Sequence, residues 1–140
     1  MMNSFPIQEF QNDKELNDCL KEWQERLFLG DWIIKAYLVD ANEMPENAGC
    51  NNWIFEKQIS LIQIARLTDD TKTRMTKVFQ EVTLVHELLH LKFGWVKNAD
   101  SYEGKFVEIH ERQLVEQMAK SLIMAKYGLK PSWFINFEVK

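Results

Sequence analysis

The spacing of apolar and polar positions changes several times along the chain, and each change marks an element. Across residues 9–28, Leu16, Cys19, Leu20, Trp23 and Leu27 recur at helical intervals, and Asp13, Lys14, Asp18, Lys21, Glu22 and Glu25 fill the other face. That spacing predicts an amphipathic helix packed on a core, with Gly30 placed to end it. Residues 32–39 are rich in β-branched and aromatic side chains and lie between Gly30-Asp31 and Asp40-Ala41-Asn42, which predicts a strand. A loop through Pro45 follows. Two further strand-like runs, 50–56 and 59–65, are separated by Lys57-Gln58, the spacing of a hairpin. In the second run Ile59, Leu61 and Gln63 alternate with Ser60, Ile62 and Ile64, so both faces are expected to be largely buried.

The second half of the chain has helical spacing. Thr68-Asp69-Asp70-Thr71 offers N-cap candidates for a helix over about residues 71–93, and Gly94 is placed to stop it. Phe79, Val82, Val85, Leu88, Leu89, Leu91 and Phe93 make that helix largely apolar. The polar stretch from Trp95 to Lys105 turns the chain back, and a last long helix runs from about 105 to 127, closed by Gly128 with Pro131 beyond. The segment Trp133-Phe134-Ile135-Asn136-Phe137 is too apolar for a free end and is expected to pack on the body or lie in a groove. The order of elements predicts an α+β fold: an N-terminal helix, a small mixed or antiparallel sheet of three or more strands, and two long helices. With no repeat or linker in 140 residues, a single domain over 1–140 is expected.

Composition narrows the partners. The formal net charge is −4 and no basic cluster stands out, which argues against nucleic acid or an anionic membrane surface. No signal peptide is visible at the N-terminus, and no apolar run approaches the roughly 20 residues of a membrane helix. Cys19 and Cys50 sit in dissimilar contexts and form no disulfide framework, so both are expected to be reduced thiols of a cytoplasmic protein.

Chemistry concentrates in His86-Glu87-Leu88-Leu89-His90. On a helix, positions i and i+4 lie one above the other, so His86 and His90 can present two imidazoles to one zinc ion. Glu87 beside them can take a proton from a water that the metal activates. The alternative is a buried helix that happens to carry two histidines. Against it, all three histidines of the chain fall between positions 86 and 110, and unpaired imidazoles on so apolar a helix would be costly.

Catalytic zinc usually takes a third protein ligand. The candidates downstream are Glu103, Glu108, His110, Glu111 and the more distant Glu116. On the last helix Val107, Leu114, Val115, Met118 and Leu122 form an apolar stripe, and Glu111 lies near its middle, four residues from Val107 and from Val115. A carboxylate facing a core needs a partner, and a metal ion is a strong one. Glu111 is therefore the expected ligand and Glu108 the reserve. Glu103, His110 and Glu116 are expected to be solvated or loop residues.

With these residues the chain resembles a small gluzincin, a zinc metallopeptidase of the thermolysin-like type, and is similar to short phage-related predicted metallopeptidases. A metzincin would carry Gly at 93 and His at 96, where this chain has Phe93 and Val96, and a SprT-type peptidase would need His110 as third ligand. The resemblance implies a zincin-like fold over residues 8–127. It also implies hydrolysis of peptide or protein substrates in a cleft below an edge strand, for which Asn51-Asn52-Trp53 are candidates. Zinc would be held by His86, His90 and Glu111, with Glu87 as general base and Tyr102 or His110 as a further donor to the oxyanion. Many gluzincins place an acidic residue four positions after the ligand glutamate to orient a zinc-bound histidine, and here that position is Val115. Two other readings stand beside the enzyme. One is a zinc-stabilised binding module without turnover, and the other a latent enzyme with residues 133–137 in its cleft.

Overall fold

The structure, a computed structural model, describes residues 9–43, 49–66, 80–93 and 102–132, apart from the side chains of 41 and 102–108. The loop around Pro45, the capping residues 68–71, the first turns of the motif helix, Gly94 and the apolar segment 133–137 lie outside the described residues.

Helix α1 spans Asp13–Arg26. Asn12 caps it by accepting the amide of Glu15 at 2.9 Å, and Asp13 and Glu15 complement the positive end of the helix dipole. The helix does not run on to Gly30. Leu27 is the C-cap and Phe28 takes the left-handed conformation, φ 56°. The amide of Leu29 then bonds to the carbonyl of Gln24 at 2.7 Å and that of Phe28 to Glu25 at 3.2 Å, the two bonds of a Schellman motif. A phenylalanine therefore does a task usually left to glycine.

Strands β1 (Ile33–Val39), β2 (Gly49–Ile54) and β3 (Ile59–Ala65) form a mixed sheet in the order β1-β3-β2. β2 and β3 are the expected hairpin, with Ile54 opposite Ile59, joined through a 3-10 turn at Phe55–Lys57 and a left-handed Gln58. β1 runs parallel to β3, Ile33 opposite Ile59, so β3 is central and the chain crosses from one margin to the other through β2. The β1 margin is closed by side chains of α1. Asn17 bonds to both the amide and the carbonyl of Ala36, at 3.1 and 2.7 Å, and Asp13 accepts the amide of Leu38 at 2.8 Å.

Helix α2 (Gln80–Phe93) carries the motif, and helix α3 (Tyr102–Tyr127) packs on it. One face of the sheet, with Ala36, Ile62 and Ile64, joins Leu16, Leu20 and Trp23 of α1, Leu84, Val85 and Leu88 of α2, and Val115, Ala119 and Ile123 of α3 in the core. The other face is not buried as the alternation of β3 suggested, since Ile59 and Leu61 stay partly in water. On α3 the buried line is Glu111, Val115, Ala119 and Ile123, and Leu114 of the expected stripe is exposed.

Glu81 ties the three helices together. Its carboxylate accepts from Trp23 Nε1 at 2.7 Å, Lys126 Nζ at 2.5 Å and the Tyr127 hydroxyl, and Lys126 also reaches Glu22 at 2.9 Å. Burial, with the charge of Glu81, pushes the Cys19 thiol beside this network up to about 12. Among the described residues no helix is long and apolar enough to cross a membrane.

Candidate metal centre

The motif sits in the described part of α2, where helical spacing stacks residues 86 and 90 on the side turned to α3. Their Nε2 atoms lie 3.1 Å apart. Two nitrogens bound tetrahedrally at about 2.05 Å from one zinc would stand roughly 3.3 Å apart, so this pair is spaced as a chelate. Each ring also meets a carboxylate through its Nδ1. Glu111 Oε1 is 3.1 Å from His90, and Glu116 Oε2 is 3.1 Å from His86. Such a contact fixes the tautomer and aims the opposite nitrogen at a metal.

Glu111 is only 5% exposed, and among the described residues its Oε2 has no hydrogen-bond partner. An orphaned carboxylate oxygen next to two convergent imidazoles is what a site built for a cation presents. In the side-chain positions seen, however, Glu111 bonds to the outer nitrogen of His90. Among the described residues, the three donors that fall within 4.8 Å of one another are those of Cys19, Glu22 and Glu81. That trio already surrounds a cation, because the Lys126 ammonium bonds to both of its carboxylates. The donor chemistry therefore fits zinc better at the histidine pair, where the buried Glu111 Oε2 has no hydrogen-bond partner among the described residues.

Glu116 is exposed, as expected, yet it also meets His86. Burial pulls the His86 imidazole down, but the Glu116 hydrogen bond and the charges of Glu87, Glu116 and Glu111 outweigh it, and its pKa lies above the ordinary 6.5. Glu116 is held below its ordinary value by the same hydrogen bond, against its own burial. Because α2 and α3 run in opposite directions, residue 90 meets 111 and residue 86 meets 116. A sequence search for the orienting acid at one position beyond Val115 would have found it.

β2 lies directly beside Glu87. A Cβ at Gly49 would come within 2.6 Å of Thr83 Cγ2 and 3.3 Å of Glu87 Oε2, so only glycine lets the strand approach so closely. Asn51 Nδ2 donates to the main-chain carbonyl of Glu87 at 2.8 Å, and Ser60 on β3 donates to Asn51 Oδ1 at 2.5 Å. Gly49 and Ser60 carried no sequence signal that set them apart. Asn51, expected only as part of an edge strand, proves to be on one, since β2 pairs with β3 alone among the described residues.

An open groove of about 610 Å³ runs along the pair, lined by His86, His90, Arg112, Gln113, Glu116 and Gln117. His110 is exposed on α3 and is not among these residues. Tyr102 is not in a loop but is the first residue of α3, nine residues or about 13 Å of helix rise before Glu111. Its side chain and those of Glu103 and Glu108 lie outside the described residues. No protein-family model, curated protein or solved structure matches the chain.

Proposed function

We propose that the chain is a zinc-dependent metallopeptidase that hydrolyses peptide bonds with Glu87 as general base, on a zincin-like arrangement of sheet, motif helix and glutamate helix. The observation that carries this reading is the Nε2 pair of His86 and His90 at 3.1 Å, each ring backed by a carboxylate, with Glu111 buried and one of its oxygens unpartnered among the described residues. His86, His90 and Glu111 would hold the ion, a His₂Glu donor set suited to zinc with one position left open. When bound, zinc supplies a Lewis acid that polarises a carbonyl and lets water lose a proton near neutral pH.

The chain's own residues do the rest. Glu87 accepts the proton of the attacking water and passes it to the leaving amine. Glu116 holds His86 in the tautomer whose Nε2 is free to bind. Asn51 fixes the backbone of Glu87 to β2, so the general base keeps a set position relative to the strand. The outer margin of β2 offers main-chain donors and acceptors to an extended peptide, which presents its scissile carbonyl alongside α2.

Glu87→Gln tests the reading. The variant should bind one equivalent of zinc like the wild type and lose peptide hydrolysis by about 10²- to 10⁴-fold, and His86→Ala should lose the metal. Undiminished hydrolysis in Glu87→Gln, or a wild-type protein that takes up no zinc, would sink the proposal. Zinc binding without cleavage of any peptide in a broad library would favour the binding module.

A further inference from the structure

The face of the sheet turned away from the helices is apolar where water would ordinarily demand polar residues. Ile33, Ile59 and Ile54 stand in one row across β1, β3 and β2, fixed by the pairing register. Ile33 is 64% exposed and Ile54 49%, and Leu61 and Tyr37 add to the patch. These five side chains leave on the order of 400 Å² of largely apolar surface in water, as large as the biggest patch on many monomers and about half of the roughly 800 Å² that each partner contributes to a standard interface.

The charges around the row decide the partner. Lys35 lies one step along the sheet from Ile33, paired in register with Leu61 and through it with Asn52. On the other side of the row the chain carries exposed Asp31, two residues before Ile33, and exposed Glu56, two residues after Ile54, with Lys57 between the strands. A two-fold axis through the isoleucine row would bring each Lys35 over the acidic end of the other copy, so the pattern is complementary to itself. Self-complementarity is the requirement for an isologous interface.

We propose that this face is the dimer interface of the protein, in which two copies pack sheet on sheet about the Ile33–Ile59–Ile54 row with Lys35 of each facing Asp31 and Glu56 of the other. The helices and the histidine pair stay on the far side, so the interface leaves the groove open in both copies.

Sedimentation equilibrium of the full chain from micromolar to near-millimolar concentration reads the result. The wild type should be a dimer that dissociates on dilution, and Ile33→Lys should be monomeric with unchanged helix content. Lys35→Asp and Asp31→Lys alone should each weaken the dimer by about tenfold or more, since each sets like charges opposite one another. The two together should restore it. A wild type that stays monomeric overturns the proposal. So does a dimer that survives Ile33→Lys, which would use another surface. If Ile33→Lys loosens the fold of a monomer, the chain's own residues cover the face, and the proposal falls as well.

Discussion

Glu116 Oε2 lies 3.1 Å from Nδ1 of His86, so the first histidine of the motif has a carboxylate behind it without any contribution from Val115. The raised pKa of His86 and the lowered pKa of Glu116 set the pH dependence of the metal-free protein. A raised imidazole pKa adds stability that is complete below about 6.5 and is lost as pH rises through the folded value. A depressed carboxylate pKa adds stability above about 4.3 that is lost as pH falls through the folded value. Both contributions are present together only between these limits. In metal-free protein, Glu116→Gln should therefore lower the melting temperature more near pH 5.5 than near pH 8.5. NMR titration should also show the His86 pKa falling in the variant. Equal destabilisation at both pH values would show that the pair does not titrate as a unit.

Gly49 permits β2 to lie against α2, and the obstacle to a side chain there is Thr83 Cγ2. Gly49→Ala should cost about 1–3 kcal/mol by overpacking and should displace the strand from Glu87. Thr83→Ser removes the clashing methyl, so the double variant should recover most of the loss. Urea unfolding of the four proteins in the cycle measures this. A double variant as unstable as Gly49→Ala would place the strain elsewhere.

Lys126 neutralises Glu81 where both are largely buried, and it stays charged despite that burial because Glu81 and Glu22 hydrogen-bond to it. Lys126→Met leaves the Glu81 carboxylate without its cation and should cost about 3 kcal/mol in denaturant unfolding, with zinc uptake unchanged. Cys19 belongs to the same network, and with its thiol partly buried and pushed up to about 12 it should react with a thiol reagent at pH 8 much more slowly than an ordinary thiol. Labelling of Cys19 in the folded protein as fast as that of an ordinary thiol would show that the network does not hold its proton.

Phe28 ends α1 in a left-handed conformation while its side chain is 88% exposed. Relief of about 1–2 kcal/mol of backbone strain, less the greater chain entropy of glycine, leaves Phe28→Gly more stable by about 0.5–1 kcal/mol. A loss of stability instead would mean that the exposed ring makes a contact in solution.

Much of this was legible in the chain because periodicity reports burial. The alternation of 59–65 marked a strand, though not its central place, and the Lys57-Gln58 interval pointed to the hairpin. The position of Glu111 among apolar neighbours gave its burial on the side of α3 that meets His90. Periodicity does not report which of two faces a neighbouring element covers, so β3 looked buried on both sides when one was open. It also carries no record of pairing between helices, and the contact of Glu116 with His86 depends on the antiparallel stagger of α2 and α3. The stop at Phe28 was hidden because glycine two residues later offered the cheaper cap, and the chain did not use it.

The closure of the β1 margin by Asn17 and Asp13 makes the sheet one-sided in what it can recruit. A strand from any other chain, a misfolded copy included, finds the backbone of Ala36 and Leu38 already engaged by α1. Among the described residues, growth by edge pairing is left to the β2 margin, beside Glu87. The margin proposed to receive an extended peptide is thus also a place where edge-to-edge self-association could begin, and a peptide lying there would protect against it.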